Sequence, residues 1–312
     1  MLSLPLHAEV MTVVSDDGPD GFPVYLWKQK SPVATVHIAH GMAEHALRYS
    51  EFAEYLAGRG YQVIVHNHRG HGGRGLQGHF SDDNGWELVI DDLLKVQHSL
   101  SGNEPVFLLG HSMGSYLALG FALRYGERLS GLILSGSGFD YRLAGYGGLL
   151  LLKLHRLLFG PQAVSRFMNW YVIQGFQRSL GPEAKSGHWL SRDIAEVHAY
   201  QQDPHSGHLC TIQLWHDLLT GVLEVSAPEN LAHIPEGLPI FALSGTHDPL
   251  GAEGKFDRLL ELLEQSGHSR VTPKRYPEGR HEMFHELNRH AVFQDVEAWM
   301  AEQVRLQADS FN

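Results

Sequence analysis

A serine, an aspartate and a histidine, met in that order along the chain, are the residues with which this sequence can do chemistry. The serine is Ser112, inside Gly110-His111-Ser112-Met113-Gly114. This has the G-x-S-x-G form of a nucleophile elbow, a sharp turn between a strand and a helix with the serine at its tip. Residues 105–109 (PVFLL) make a short apolar run suited to a buried parallel strand, and 115–125 (SYLALGFALRY) read as a helix. A nucleophile on so tight a turn has strained dihedrals, so the positions two residues away must be small enough to let strand and helix approach. Ser112 Oγ would then project from the sheet, and the Met113 N–H would lie at a helix start, free to bind an oxyanion.

A serine nucleophile needs a base, and the base needs an orienting carboxylate. Asp248, in SGTHDPLG, follows the apolar run at 238–243 (LPIFAL), and His281, in YPEGRHEMFHE, follows a strand candidate at 271–276. Both are expected in loops at strand carboxyl ends, and acid then histidine is the order that goes with such an elbow. A turn or helix-cap role is the ordinary alternative for an aspartate before proline. His285 lies further into the following segment, and His247 is too close in sequence to Asp248 to face it. His40-Gly41 offers the other half of an oxyanion hole through the Met42 N–H, with Glu44, His45 and Arg48 expected to brace that loop.

Two rival constellations involve metals. His281-Glu282-Met283-Phe284-His285 satisfies H-E-x-x-H, which requires both histidines on one face of a helix. Here the motif follows Pro277-Glu278-Gly279, where a strand-ending loop is expected, so the match reads as accidental. His66-x-His68-x-x-His71 has Gly70 where a carboxylate ligand would help, and with 22 histidines in the chain it reads as loop structure. No metal or organic cofactor is expected.

These residues need elements to hold them. The chain opens with strand candidates at 9–14 and 24–28 around a turn-rich DDGPDG at 16–21, an antiparallel start. A strand at 34–39 runs into the His40 loop. A helix over 47–57, a strand over 61–66 and a glycine-rich loop at 67–75 (NHRGHGGRG) follow. Residues 86–100 have helical spacing with Asp91 and Asp92 on the outer side, and 131–134 begins another strand. Strands alternating with helices mean a parallel sheet with helices on its faces.

From about 139 to 227 the pattern is helical without a strand, and includes LLLLKLHRLLF at 149–159 and a segment at 211–223. Alternation resumes with a strand at 238–243, a helix near 255–265, a strand at 271–276 and a final helix from 288 to 304. The reading is a core built from 1–138 and 228–312, with a helical lid at 139–227 over the carboxyl ends of the strands. The run at 149–159 is too apolar to lie fully exposed, and either the core or a bound acyl chain is expected to cover it.

Composition bounds the partners. The 312 residues, 43% hydrophobic, can bury a large core as one domain with an insertion. A formal charge of −11 argues against nucleic acid and against electrostatic capture by anionic membranes. A single cysteine, Cys210, allows no internal disulfide and fits a reducing, cytoplasmic location. The first residues lack the basic region and long apolar run of a signal peptide, and no apolar stretch approaches the roughly 20 residues of a membrane helix. Transient contact with a membrane surface stays open.

With these residues in view, the chain resembles the monoglyceride lipase and lysophospholipase group of serine α/β-hydrolases. HGMAEHALRY at 40–49, NHRGHGG at 67–73, GHSMG at 110–114, THDPL at 246–250 and RHEMFHE at 280–286 look like that group's motifs in order. Asn67 departs from it where an aspartate is common, and Gly73-Arg74 where a serine often follows. The resemblance implies an α/β-hydrolase fold with Ser112, Asp248 and His281 as a triad and Met42 and Met113 as oxyanion-hole donors. The activity it implies is hydrolysis of carboxylic esters, monoacylglycerols or lysophospholipids, through an acyl-enzyme. A general carboxylesterase or serine peptidase is the main alternative. A metal-dependent hydrolase using His281 and His285, or a non-catalytic binder, stands further off.

Overall fold

The structure is a computed structural model that describes residues 7–15, 18–139, 142–183, 185–252 and 254–310. Its first strands, β1 (Glu9–Ser15) and β2 (Gly18–Trp27), pair antiparallel. Strand β2 already begins at Gly18, so the expected DDGPDG turn is shorter than its composition suggests, and Asp16 and Asp17 lie outside the described residues. Then come β3 (Thr35–Ala39), a 3-10 turn at Ala46–Tyr49, α1 (Ser50–Ala57), β4 (Gln62–His66) and α2 (Gly85–Leu100). After these stand β5 (Val106–His111), α3 (Met113–Tyr125) and β6 (Gly131–Ser135).

Four helices follow: α4 (Arg142–Phe159), α5 (Arg166–Ser179), α6 (Ile194–Gln202) and α7 (Ile212–Val225). The short α8 (Pro228–Leu231) leads back to β7 (Ile240–Gly245), α9 (Lys255–Gln265), β8 (Val271–Tyr276) and α10 (Arg289–Ser310). The eight strands form one sheet in the order β1-β2-β4-β3-β5-β6-β7-β8, parallel from β4 through β8. This is the expected α/β-hydrolase fold.

Every residue of β3, β4, β5, β6 and β7 is buried, which is why these strands read as continuous apolar runs and not as alternating ones. Helices cover both faces. One core packs Trp86, Leu117, Leu214 and Phe256 from α2, α3, α7 and α9, and the other packs Phe52, Phe293 and Trp299 from α1 and α10. Edge strand β8 keeps Lys274 and Arg275 exposed, charges that discourage further pairing.

Two expectations are corrected here. Asp92, read as facing outward from α2, is buried and accepts from Arg69 at 2.8 and 3.1 Å and from Arg74 at 2.7 Å. Those arginines come from the glycine-rich loop, so that side of the helix faces the loop and not water. The leucine-rich stretch of α4 does not find full cover. Leu152 is buried, but Leu150, Leu154, Leu157, Leu158 and Phe159 are exposed. No helix among the described residues is long and apolar enough to cross a membrane.

Candidate active site

Ser112 stands between β5 and α3 at φ 53° and ψ −121°, a left-handed conformation that a residue with a side chain adopts only under constraint. Its N–H donates to the Ser135 carbonyl at 2.9 Å, and its carbonyl accepts from the N–H and hydroxyl of Ser115. The elbow's glycines are there for closeness. A Cβ at Gly114 would lie 2.0 Å from the Ala39 carbonyl oxygen, and one at Gly110 would lie 2.2 Å from that of Gly114.

His281 and Asp248 meet this serine from the loops after β8 and β7. His281 Nε2 is 2.9 Å from Ser112 Oγ, and its Nδ1 is 2.8 Å from Asp248 Oδ1. The aspartate is fully buried, and also accepts from the Leu250 N–H at 2.9 Å and the Ser244 hydroxyl at 3.2 Å. It therefore stays an acceptor, which fixes the proton of neutral His281 on Nδ1 and leaves Nε2 free to accept the serine proton. Burial alone would push the His281 pKa down; the Asp248 carboxylate, helped by Glu282 and Glu44, outweighs that and raises it.

Among the described residues, neither the Met42 N–H nor the Met113 N–H has an intramolecular acceptor. The loop carrying Met42 is held from several sides. His40 Nδ1 donates to the Gly41 carbonyl at 2.8 Å while its Nε2 accepts from the His68 N–H at 3.0 Å. The Gly41 N–H donates to Glu44, and Ala43, at φ 57°, has its carbonyl bound by Gly207 and Tyr200. A cavity of about 90 Å³ opens beside Ser112, with Met42, Ile173, Phe176, Trp189, Leu209 and Trp215 on its walls. A serine hydroxyl in hydrogen-bond reach of an imidazole, two unspent N–H donors and a largely apolar pocket are an arrangement that could support acyl transfer.

A family model described as serine aminopeptidase, S33, matches residues 30–288. The chain belongs to that family. This S33 chain is 28% identical to the human monoglyceride lipase over 302 residues, covering 92% of this chain and 91% of that one. It is 27% identical to the monoacylglycerol lipase of Mycolicibacterium smegmatis, covering 86% and 88%. Both of these relatives are monoglyceride lipases by name, and it is to them that the chain is similar over most of its length. Among solved structures, a highly thermostable carboxyl esterase from Bacillus coagulans in complex with glycerol superposes with a TM-score of 0.85, at 25% identity over 96% of this chain and 99% of that one.

The other candidate residues of this S33 chain separate cleanly. His285 Nε2 donates to the Arg48 carbonyl at 2.9 Å, so His281 and His285 serve different partners. His247 is exposed. His66, His68 and His71 join His37 and His40 in one buried cluster, in which His37 Nε2 and His66 Nδ1 lie 3.1 Å apart and His40 and His68 have ring centroids 4.2 Å apart. Burial lowers the pKa of His37 and of His71 to about 3, and holds His40, His66 and His68 well below the ordinary value. No group of three or more His, Cys, Asp or Glu among the described residues is arranged to hold a metal.

One functional neighbour escaped the sequence reading. Glu282, noticed only as part of H-E-x-x-H, accepts both guanidinium nitrogens of Arg48 at 2.6 and 2.8 Å, while Arg48 also donates to Glu44 at 2.8 Å. Burial would raise the Glu282 pKa, but Arg48 overrides it and holds it at about 2. Arg48 and Glu282 are 234 positions apart, and nothing local announces their meeting. Trp189 and Phe176, whose rings flank His281 at 5.4 and 6.2 Å, were equally silent.

Proposed function

We propose that this chain hydrolyses monoacylglycerol-type esters through an acyl-enzyme on Ser112. Its relatives and structural neighbours make it a carboxylic ester hydrolase. The observation that carries the mechanism is the unbroken line from Ser112 Oγ through His281 to Asp248. Ser112 attacks the acyl carbonyl, His281 takes its proton and returns it to the leaving alcohol, and Asp248 holds the imidazole in the required tautomer. The Met42 and Met113 N–H groups bind the oxyanion, and water then releases the acid by the same route.

The acyl-lipid substrate is supported by the printed names of the relatives and by the apolar cavity walls. At about 90 Å³ that cavity is well below the several hundred Å³ of a pocket for a whole small ligand. A long acyl chain then requires the helices between β6 and β7 to shift, and residues 139–227 act as a lid in that sense. The family's description favours a second reading, peptide hydrolysis on the same triad. Buried, unpaired Cys210 fits a cytoplasmic location.

The test is labelling with a fluorophosphonate, with and without chelator, followed by turnover over monoacylglycerols, lysophospholipids, simple alkyl esters and aminoacyl amides. Labelling confined to Ser112 and monoacylglycerol at the top of the panel are expected. Aminoacyl amides at the top would move the assignment to a peptidase.

A further inference from the structure

His281 lies between the end of β8 and the 3-10 turn at Met283–His285, so no strand or helix fixes its backbone. The insertion between β6 and β7 does so instead. The His281 N–H donates to the Trp189 carbonyl at 3.2 Å, and the Glu282 N–H to the Leu190 carbonyl at 2.8 Å. Both acceptors belong to the stretch that joins α5 to α6. Arg280 closes the same stretch, donating from one guanidinium nitrogen to the carbonyls of His188 and Ser191 at 2.7 and 2.9 Å. The Ser191 hydroxyl in turn donates to the His285 carbonyl at 2.8 Å.

One buried carboxylate draws the two stretches together. Glu286 Oε1 accepts from the Arg280 N–H and the Arg192 N–H, each at 3.0 Å. Its Oε2 accepts from Arg192 Nε and the Leu287 N–H, each at 2.9 Å. The N–H groups of Arg280, His281 and Glu282, consecutive in the chain, therefore all go to this clasp and not to the sheet. A buried, fully bonded ion pair would stabilise the fold wherever it stood, provided its geometry were as complete as this. Its place says more. Glu286 holds the residue directly before His281, and the ring of Trp189, whose carbonyl takes the His281 N–H, lies 5.4 Å from the imidazole.

We propose that Glu286 is a positioning residue for His281, acting through the clasp on residues 188–192. The proposal rests on the reading of His281 as the general base of ester hydrolysis. In that role Nε2 must stay 2.9 Å from Ser112 Oγ while Nδ1 stays 2.8 Å from Asp248, and few placements of the ring satisfy both. A shift of about 1 Å in such a group costs on the order of a hundredfold in rate. Without the Glu286 acceptors the histidine loop is free to slide against the stretch that holds it. Glu286 is not on the walls of the cavity beside Ser112, so substrate binding should hardly change. The clasp also divides the insertion. Residues 188–192 have to stay seated for His281 to work, so the shift that admits a long acyl chain falls to the helices and not to this stretch.

The test compares the natural chain with Glu286→Ala, Glu286→Gln and a control, Val96→Ala, at a buried position on α2. Glutamine can still accept the Arg280 and Arg192 N–H groups on its one oxygen, so it should recover part of what alanine loses. The readouts are kcat and KM on a soluble butyrate ester, urea unfolding, and NMR titration of His281, whose signal is assigned by its loss in His281→Gln. Glu286→Ala should lower kcat about 10- to 100-fold with KM changed by no more than about twofold, and Glu286→Gln should lower it less. Burial lowers the His281 pKa while Asp248, Glu282 and Glu44 raise it, so a ring slackened from Asp248 should titrate at lower pH in both variants. Val96→Ala should lose stability and keep both kcat and the titration. If the Glu286 variants behave as that control does, or raise KM alone, Glu286 is a stabilising ion pair only and the proposal is overturned. If Glu286→Ala does not fold, Glu286→Gln decides by the same readouts. A His281 titration that shifts in the variants, in a protein whose natural chain turns over no ester, would sink the hydrolase reading and leave the positioning intact.

Discussion

Arg48 donates to both carboxylate oxygens of Glu282, at 2.6 and 2.8 Å, and so ties the loop that carries Met42 to the residue after His281. All three side chains of the Glu44, Arg48 and Glu282 network are buried. Removing the cation leaves two carboxylates without compensation in a dry site. Arg48→Ala should therefore cost about 3 to 5 kcal/mol of stability. Arg48→Lys keeps the charge but cannot make the paired contact, so it should fall between, with a larger loss in kcat than in stability. Urea unfolding beside steady-state kinetics checks both. Natural stability in Arg48→Ala would show that the network contributes little.

Ser112→Ala should abolish turnover in a folded protein, a loss on the order of a millionfold in kcat, with His281→Ala close to it and Asp248→Asn somewhat milder. His285→Ala should be mild in comparison, since that imidazole faces the Arg48 carbonyl and not the serine. Because His281 and His285 have separate partners, chelators should leave activity unchanged. Inactivation by EDTA with recovery on adding zinc would refute the serine mechanism.

The pH profile should carry two signatures. His281 must be neutral to act and its pKa is raised above 6.5, so kcat/KM should fall on acidification with a midpoint above that value. The buried cluster acts on stability. His37, His40, His66, His68 and His71 have depressed folded-state pKa values, so the unfolded chain binds more protons as pH falls below 6.5, down towards about 3 for His37 and His71. Each then removes up to about 1.4 kcal/mol of stability per pH unit in that window. The dependence of unfolding free energy on pH should report an uptake of several protons. A slope near one proton would mean that the cluster titrates in the folded state.

Acyl preference should follow the cavity walls and not the leucine run of α4. Each buried methylene is worth about 0.8 kcal/mol, a few-fold in kcat/KM per carbon until the pocket ends. Ile173→Ser or Leu209→Ser should depress medium-chain esters while sparing acetate, whereas Leu158→Ser, at an exposed position, should leave the soluble-ester profile unchanged. Kinetics over an ester series below the aggregation limit decides. Equal losses for short and long esters would make the walls a structural cover only.

The sheet and its order of elements were legible because buried parallel strands are continuous apolar runs, and the loops bearing Ser112, Asp248 and His281 follow directly from that alternation. Boundaries moved by a few residues: the helix expected over 47–57 is a 3-10 turn followed by α1. What the sequence hid was whatever depends on a distant partner. Asp92 reads as a surface residue until Arg69 and Arg74 fold over it. The leucine-rich run at 149–159 showed that α4 needs cover but could not say that α7 packs on only one side of it.

Strand β6 meets β7 through Leu132 opposite Ile240, partners 108 positions apart along the chain. Closing so long a connection costs about 4 kcal/mol of chain entropy before the pairing returns anything. Ser112 precedes this crossing, and Asp248 and His281 both follow it. A refolding or newly made chain can thus assemble β3, β4, β5 and β6 around a serine that is still inert. On the proposed mechanism its reactivity would arrive only once β7 and β8 are paired, so that competence to hydrolyse would report the completed sheet.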